Sequence, residues 1–451
     1  MENKIQPRLK TFDLTMIVMG LVIGMGIFRT PPEVAQKAGT SSIFFIAWIT
    51  GAVVSMIGAL TFAEIGSRYP AAGGFYKIFS HCYHPSFAFM VNWITVISNA
   101  ASTAGVAIMG AEYIAPILFP TLNPETAARI ITTTSVIFLY IINMLGIKVS
   151  SKVLNVLMII KISMLLLLIS ALFFVVGPHA NDAIKTAPQT TEDMLKCFAL
   201  CFIPVFFTYG GYQQTMNFGS DVKNPSRTMP RAIFYGMTVV LCIYLLANLS
   251  YVKVLGFAEL QKTKTLASDI SQLMFGAVVA KLVALIMFFC VMAYVNVSML
   301  SNPRIYFAMA EDGVFPKIFS RVNARTQVQE WAVSLFTVFI LLTLFFMSSF
   351  QTILQYVMFF DSISLISAAA CIFILRYRAK KNKHEIENIF KMKAYPYLPI
   401  FYILIYMVVN ASVLLSKPEA SLWGFVLFVS GLPLFYLMRF LIRKTTRKPI
   451  L

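Results

Sequence analysis

Charged residues are scarce in this chain of 451 residues: Asp, Glu, Lys and Arg together make up 12% of it, and only 19 residues are acidic. The chain is strongly apolar, with 58% hydrophobic residues and a mean hydropathy of +0.76. This composition excludes a soluble globular protein of this size. We predict an all-α integral membrane protein in which almost nothing remains for a soluble domain.

Several kinds of chemistry also lack the residues they need. The four histidines and six cysteines form no cluster with metal-ligand spacing, and no GxxxxGK[ST] phosphate-binding pattern is present. An intramembrane enzyme would need clustered nucleophiles, acid/base pairs or metal ligands, and the spans do not supply them. We therefore predict no cofactor, no metal site, no ATP-driven transport and no enzyme activity.

Apolar runs near twenty residues recur along the whole chain, and each is long enough to cross about 30 Å of hydrocarbon as a helix. Hydropathy predicts about twelve such spans. Their predicted positions are residues 13–36, 41–67, 85–114, 128–146, 152–177, 193–217, 231–254, 271–309, 331–347, 352–376, 396–415 and 422–442. The long eighth run is expected to hold a span plus a helical cytoplasmic extension.

A net charge of +18 at pH 7 could indicate nucleic-acid binding, and the positions of the basic residues along the chain decide whether it does. When loops alternate from a cytoplasmic N-terminus, most of the 37 basic residues fall inside, including a cluster at 376–393 and a tail at 439–448. This distribution follows the positive-inside rule. We predict a multi-pass protein of the plasma membrane with both termini in the cytoplasm, in contact with the lipid bilayer and not with nucleic acid.

Two of the predicted spans contain glycines that weaken a helix. The first span carries "GLVIGMGIF", residues 20–28, and the sixth carries "FFTYGGYQQTMNF", residues 206–218. Glycine costs about 1 kcal/mol relative to alanine in a helix interior. Small residues also serve close packing between transmembrane helices. Breaks at matching places in two halves are, however, typical of secondary transporters built from inverted repeats, with a substrate site at the midplane.

The two breaks offer complementary groups to a ligand. A half-helix that starts after Gly26 presents free N–H groups and the positive end of its dipole, which suits a carboxylate. Unwinding around residues 208–210 leaves free carbonyls, which suit an ammonium. Together the breaks predict a site for an α-amino acid. Four nearby rings are candidates for a lid or for packing against other helices: Phe206, Phe207, Tyr209 and Tyr212.

Four motifs in this order resemble those of the amino acid permeases of the amino acid, polyamine and organocation superfamily. They are "GMGIF" at 24–28, "FAEIGSRYPAAGGFY" at 62–76, "FTYGGY" with "DVKNPSRTMPRAI" at 207–233, and "SNPRIYFAMAEDG" at 301–313. Within that superfamily the chain is most similar to the L-type amino acid transporters and their bacterial relatives.

The resemblance implies one domain over residues 1–451 that works by alternating access. It implies a five-plus-five inverted repeat, with halves at 13–177 and 193–376 and two further helices at 396–443. The substrate would bind on the unwound parts of helices one and six. The residues that match those parts are Ile23, Gly24, Met25, Gly26, Phe207, Thr208 and Gly210, with Phe207 as the gate. Many relatives have serine where Met25 stands, so the carboxylate would depend here on backbone N–H groups.

Two ionisable residues lie within apolar spans, and such residues are functional hypotheses by default. The resemblance implies that Lys161, in the fifth span, replaces a bound cation, either as a fixed bridge between helices one and eight or by binding and releasing a proton. The alternative is a lysine that reaches an aqueous vestibule. Asp361, in the tenth span, is a candidate proton carrier, a partner for a cationic substrate side chain, or a helix cap. Glu64 and Asp13 are interpreted as structural.

We predict a secondary transporter of neutral amino acids, because no acidic residue lies close in sequence to either break and a buried basic side chain would be uncompensated. Sodium is expected to be unnecessary, with a proton as the candidate coupling ion in symport, or with exchange. Facilitated diffusion also stays open. The alternatives are a transporter of cationic amino acids or polyamines and a non-transporting nutrient receptor of the same fold. The sequence leaves the oligomeric state open.

Overall fold

The computed structural model describes residues 5–174, 190–263, 266–346, 350–381, 389–416 and 418–446. Within these ranges the chain is built from α-helices, three short 3₁₀ helices and two isolated β-bridges. Eleven helical segments of the described chain are long and apolar enough to cross a membrane, and a shorter apolar helix, Glu330–Phe345, takes the place of the predicted ninth span. The all-α membrane fold predicted from composition is confirmed.

Helices of the first five spans alternate with short loops. They are α1 (Thr11–Val22), α2 (Gly26–Ala38), α3 (Ser41–Arg68), α4 (Gly74–Cys82), α5 (Pro85–Leu118), α6 (Pro124–Met144) and α7 (Ile147–Phe174). The first span is divided between α1 and α2, and α4 is a short helix between the second and third spans. The predicted end of the fifth span at residue 177 lies outside the described residues.

The later helices follow the same arrangement. They are α8 (Thr191–Tyr209), α9 (Pro225–Leu255), α10 (Phe257–Leu260), α11 (Leu266–Ser301), α12 (Pro303–Glu311), α13 (Glu330–Phe346), α14 (Phe350–Lys381), α15 (Tyr397–Ser416) and α16 (Pro418–Thr446). The eighth run is a span, α11, followed by the short helix α12, which begins with a proline at its first position. The predicted end of the ninth span at residue 347 lies outside the described residues.

The buried helices α3, α9, α1, α11 and α5 pack in this order, each on the next, and the 3₁₀ helix that follows the second break contacts the first four of them. Helices α15 and α16 are peripheral, since most of their apolar surface is exposed and available to lipid. Close approach is helped by glycine: Gly51 in α3 faces the side chains of Val205 and Tyr209 in α8.

Glu64 ties three separate segments together at one end of α3. Its fully buried carboxylate accepts two hydrogen bonds from Arg376 of α14, both at 2.7 Å, and one from Arg68 at 2.7 Å. The main-chain N–H of Met392, in the loop before α15, donates to it at 2.7 Å. These contacts fit the structural interpretation of this residue.

Candidate functional site

The first span is interrupted where its glycines predict a break. Helix α1 ends at Val22 and α2 begins at Gly26, with three non-helical residues between them. The main-chain N–H groups of Met25, Gly26 and Ile27 donate to no acceptor in the described part of the chain. Gly24 and Gly26 are partly exposed, whereas their neighbours in the break are buried. The start of α2 therefore offers unpaired donors at the positive end of a helix dipole.

The break in the sixth span starts later than its sequence predicts. Helix α8 continues to Tyr209, so Thr208 lies in its last turn, and unwinding begins at Gly210. Gly211 has φ of +110°, a conformation that side chains other than glycine rarely adopt. The chain then continues as a 3₁₀ helix at residues 212–217.

The end of α8 offers unpaired carbonyls. The carbonyl of Phe207 accepts a hydrogen bond from the N–H of Gly210 at 3.1 Å, so it is not one of them. Among the described residues, no main-chain donor reaches the carbonyls of Phe206, Thr208 and Tyr209. The end of α8 is also the negative end of that helix dipole, which suits a cation.

The two breaks meet in the structure. A Cβ placed on Gly26 would lie 2.9 Å from Cγ2 of Thr208 and 3.1 Å from its Cα. Gly211 lies against the carbonyl of Leu21, in the last turn of α1. The donor end of α2 and the acceptor end of α8 therefore pack directly on each other.

Lys161 reaches the first break. It lies in α7 and is fully buried, and its Nζ donates to the carbonyl of Ile23 at 2.5 Å. The hydroxyl of Tyr244, from α9, donates to the carbonyl of Val22 at 3.0 Å. The carbonyls of Val22 and Ile23 at the end of α1 are therefore already bound by side chains. The N–H groups of residues 25–27 stay unpaired.

Tyr294 of α11 faces the first break, and Asp361 of α14 lies near Tyr294. The ring of Tyr294 in α11 faces Gly24, at 3.7 Å from the position of a Cβ there. Asp361 in α14 is half-buried, lies within electrostatic range of Tyr294 and Tyr406, and makes no hydrogen bond or ion pair with any described residue. The structure therefore brings Asp361 to the same region as the break, although the two are about 340 residues apart in sequence.

Of the four rings considered for a lid, Phe207 alone is partly exposed. Phe206 is buried against Tyr406, with ring centroids 5.4 Å apart. Tyr209 is buried with its hydroxyl donating to the carbonyl of Trp48 at 3.3 Å, and Tyr212 is also buried. Packing is therefore the role of three of these rings, and the gate role of Phe207 stays a prediction.

The remaining motifs converge at a second place, which we call the motif junction (residues 71–77, 217–222 and 304–312). The N–H of Ala72 donates to the hydroxyl of Ser220 at 2.9 Å. The N–H of Gly73 donates to the carbonyl of Asn217 at 3.1 Å. Gly73 has φ of +61° and packs against the main chain of Arg304, which leaves no room for a side chain.

A buried ion pair crosses the motif junction. Arg304 donates to both carboxylate oxygens of Asp221, at 2.7 and 3.1 Å, and its guanidinium lies 4.3 Å from the ring centroid of Phe218. At the junction's edge, burial alone would lower the pKa of the Lys77 ammonium, but the hydrogen bond and charge of Asp312 raise that pKa above its ordinary value. In the described residues, no group of three His, Cys, Asp or Glu side chains is placed to hold a metal ion.

A family model described as amino acid permease matches residues 9–435, almost the whole chain. The chain belongs to the amino acid permease family. This permease is 27% identical over 434 residues to the serine/threonine exchanger SteT of Bacillus subtilis, with 95% of each chain covered. It is 26% identical to the large neutral amino acids transporter small subunit 2 of Rattus norvegicus, over 93% of this chain and 78% of the relative. It is 25% identical to the cystine/glutamate transporter of Homo sapiens, over 97% and 86%.

The tyrosines that contact the permease's breaks were not predicted from the sequence. Tyr244 and Tyr294 each lie in a long apolar span, with no local signal that separates them from other buried aromatic residues. Their roles depend on contacts with α1 across the bundle.

Proposed function

We propose that this permease carries neutral amino acids across the plasma membrane by alternating access, without sodium and with a proton or a second amino acid as the coupled species. The observation that carries this proposal is the meeting of the two breaks, where unpaired N–H groups of α2 stand beside unpaired carbonyls of α8. An α-amino acid has a carboxylate and an ammonium on one carbon, which match these two sets of groups.

The absence of a sodium requirement follows from Lys161. Its buried ammonium is bound to the carbonyl of Ile23, the kind of oxygen that would otherwise coordinate a cation at the break. A second positive charge about 4 Å away would be repelled by about 4 kcal/mol even at an effective dielectric constant near 20. Exchange of one amino acid for another is supported by similarity to a relative that is a serine/threonine exchanger.

The two halves at residues 13–177 and 193–376 are proposed to be inverted repeats. In support, spans that correspond in the two halves pack on corresponding partners, where span n of the first half corresponds to span n + 5 of the second. The first span packs on the seventh through α1 and α9, and the sixth packs on the second through α8 and α3. The fifth packs on the eighth through α7 and α11, and the tenth packs on the third through α14 and α5. Both termini are proposed to be cytoplasmic from the charge distribution.

A second candidate is the transport of cationic amino acids. One observation favours it: the acidic side chain of Asp361 lies near Tyr294, whose ring faces the first break, and it pairs with no described residue. A carboxylate of this kind would compensate a basic substrate side chain that is otherwise costly to bury.

The experiment is uptake into proteoliposomes of the purified protein with a panel of labelled amino acids. Sodium is replaced by choline, the external pH is varied, and vesicles are preloaded with an amino acid or left empty. We expect uptake of neutral amino acids that persists in choline. Preloading separates exchange from symport, because exchange requires an internal substrate. Uptake that requires sodium, or that occurs only with lysine or arginine, would contradict the proposal.

A further inference from the structure

Two tyrosine hydroxyls meet beside the break in the sixth span, and the ring of a third tyrosine packs against them. Tyr212 follows Gly211 directly, and its hydroxyl lies 3.0 Å from that of Tyr402 in α15. Tyr406, one helical turn further along α15, packs on Tyr402 with ring centroids 4.7 Å apart. All three side chains are buried. We call Tyr212, Tyr402 and Tyr406 the tyrosine cluster.

The packing around the tyrosine cluster fixes its position. Gly58 in α3 faces the hydroxyl of Tyr212 and the ring of Tyr402, and a Cβ at that position would overlap both. Phe62, one turn later in α3, packs on the same two rings, with centroids at 6.0 and 6.2 Å. The hydroxyl pair is therefore enclosed, and in such a site each buried hydroxyl needs a hydrogen-bond partner.

Helix α15 contacts the chain on both sides of this break. Before the break, Phe206 in α8 packs on Tyr406. After the break, Tyr212 pairs with Tyr402. Residues 210–211, which lie between these contacts, are glycines and have no side chain of their own to hold the backbone. The two contacts made by α15 therefore add to the packing of α8 on α2 and α3, and they hold the chain on both sides of the glycines next to the unpaired carbonyls.

We propose that Tyr402 and Tyr406 are positioning residues of the substrate site: through the tyrosine cluster, α15 holds the carbonyls at the end of α8 where they bind the ammonium of the substrate. This inference rests on the proposed function, because it assigns the cluster to the ammonium side of an amino acid site. It gives a helix outside the two five-span halves a role in substrate recognition. The hydroxyls act as hydrogen-bonding groups, and no proton is transferred.

The test compares Tyr402→Phe, Tyr212→Phe and the double variant with the parent, in proteoliposomes for uptake and in detergent for melting temperature. Each single variant removes one hydroxyl and keeps the ring. We expect KM to rise about fivefold, the equivalent of one net hydrogen bond of about 1 kcal/mol, with maximal rate within about twofold. The double variant should raise KM by about the same factor as either single variant, because both changes remove the same bond.

The matched control is Tyr140→Phe. Tyr140 in α6 also pairs with a hydroxyl of another helix, Ser334 of α13, at 2.9 Å, and neither helix carries a break. The Tyr140→Phe variant should lower the melting temperature about as much as Tyr402→Phe does, and it should leave KM unchanged. If both Tyr402→Phe and Tyr212→Phe keep the parent KM, the positioning role is overturned while the proposed function stands. If the parent takes up no amino acid, the proposed function fails and the inference fails with it.

Discussion

Replacing Lys161 with methionine removes the charge and the hydrogen-bond donors but keeps an unbranched side chain at this buried position. In the structure Nζ lies 2.5 Å from the carbonyl oxygen of Ile23, and the residue is fully buried. A hydrogen bond from a charged group contributes about 1.5–3 kcal/mol. Its loss should therefore lower the population of the ordered break and slow transport by about one to two orders of magnitude.

The assay is the initial rate of neutral amino acid uptake at substrate concentrations below and above KM. Lys161→Arg separates the two roles: retained activity indicates a static bridge, whereas lost activity with a changed pH profile indicates protonation. Lys253→Met is the matched control, because Lys253 also donates to a carbonyl of another helix, that of Leu172 at 2.6 Å, but is exposed. The reasoning is refuted if Lys161→Met transports at the parent rate.

Three further predictions concern the breaks, the substrate and the fold. Gly26→Leu should abolish substrate binding while the protein still inserts, because the new side chain would overlap Thr208; an affinity within about twofold of the parent would speak against it. Asp361→Asn should leave uptake of neutral amino acids within about threefold; if lysine or arginine outcompetes every neutral amino acid and Asp361→Asn removes that preference, the neutral assignment is wrong. Glu64→Gln should destabilise the protein by about 3–5 kcal/mol, seen as a lower melting temperature, because Arg376 loses its buried partner. An unchanged melting temperature would contradict a structural role for Glu64. The control variant is Glu125→Gln, because Glu125 forms an exposed ion pair with Arg129 of the same helix.

The positions of the breaks could be predicted from sequence because their signals are local. The glycines at 24 and 26 and the pair at 210–211 stand at matching places in two apolar runs, where glycine weakens a helix. Lys161 was found in the same way, as a lone charge in an uninterrupted span. The resemblance to other permeases implied a bridge to helix one without naming a partner, and in the structure Nζ donates to the carbonyl of Ile23.

The register of the second break could not be predicted, because it depends on tertiary contacts. Thr208 stays in the last turn of α8, where it packs directly on Gly26 from the other break. The carbonyl of Phe207 is occupied because Gly210 folds back toward it. The partner of Tyr212 lies 190 residues away in α15, at a position that sequence pattern marks only as one more aromatic residue in a span.

The ion pair of Arg304 and Asp221 affects how fast the three segments of the motif junction can separate. Both ions lost their hydration when they were buried, and their mutual attraction offsets that loss only in part. If the junction opens during transport, water returns to both ions, so the closed arrangement gains little free energy from the pair. The guanidinium and carboxylate must nevertheless come back to the same geometry each time. We expect the pair to make closure reproducible without making reopening slow.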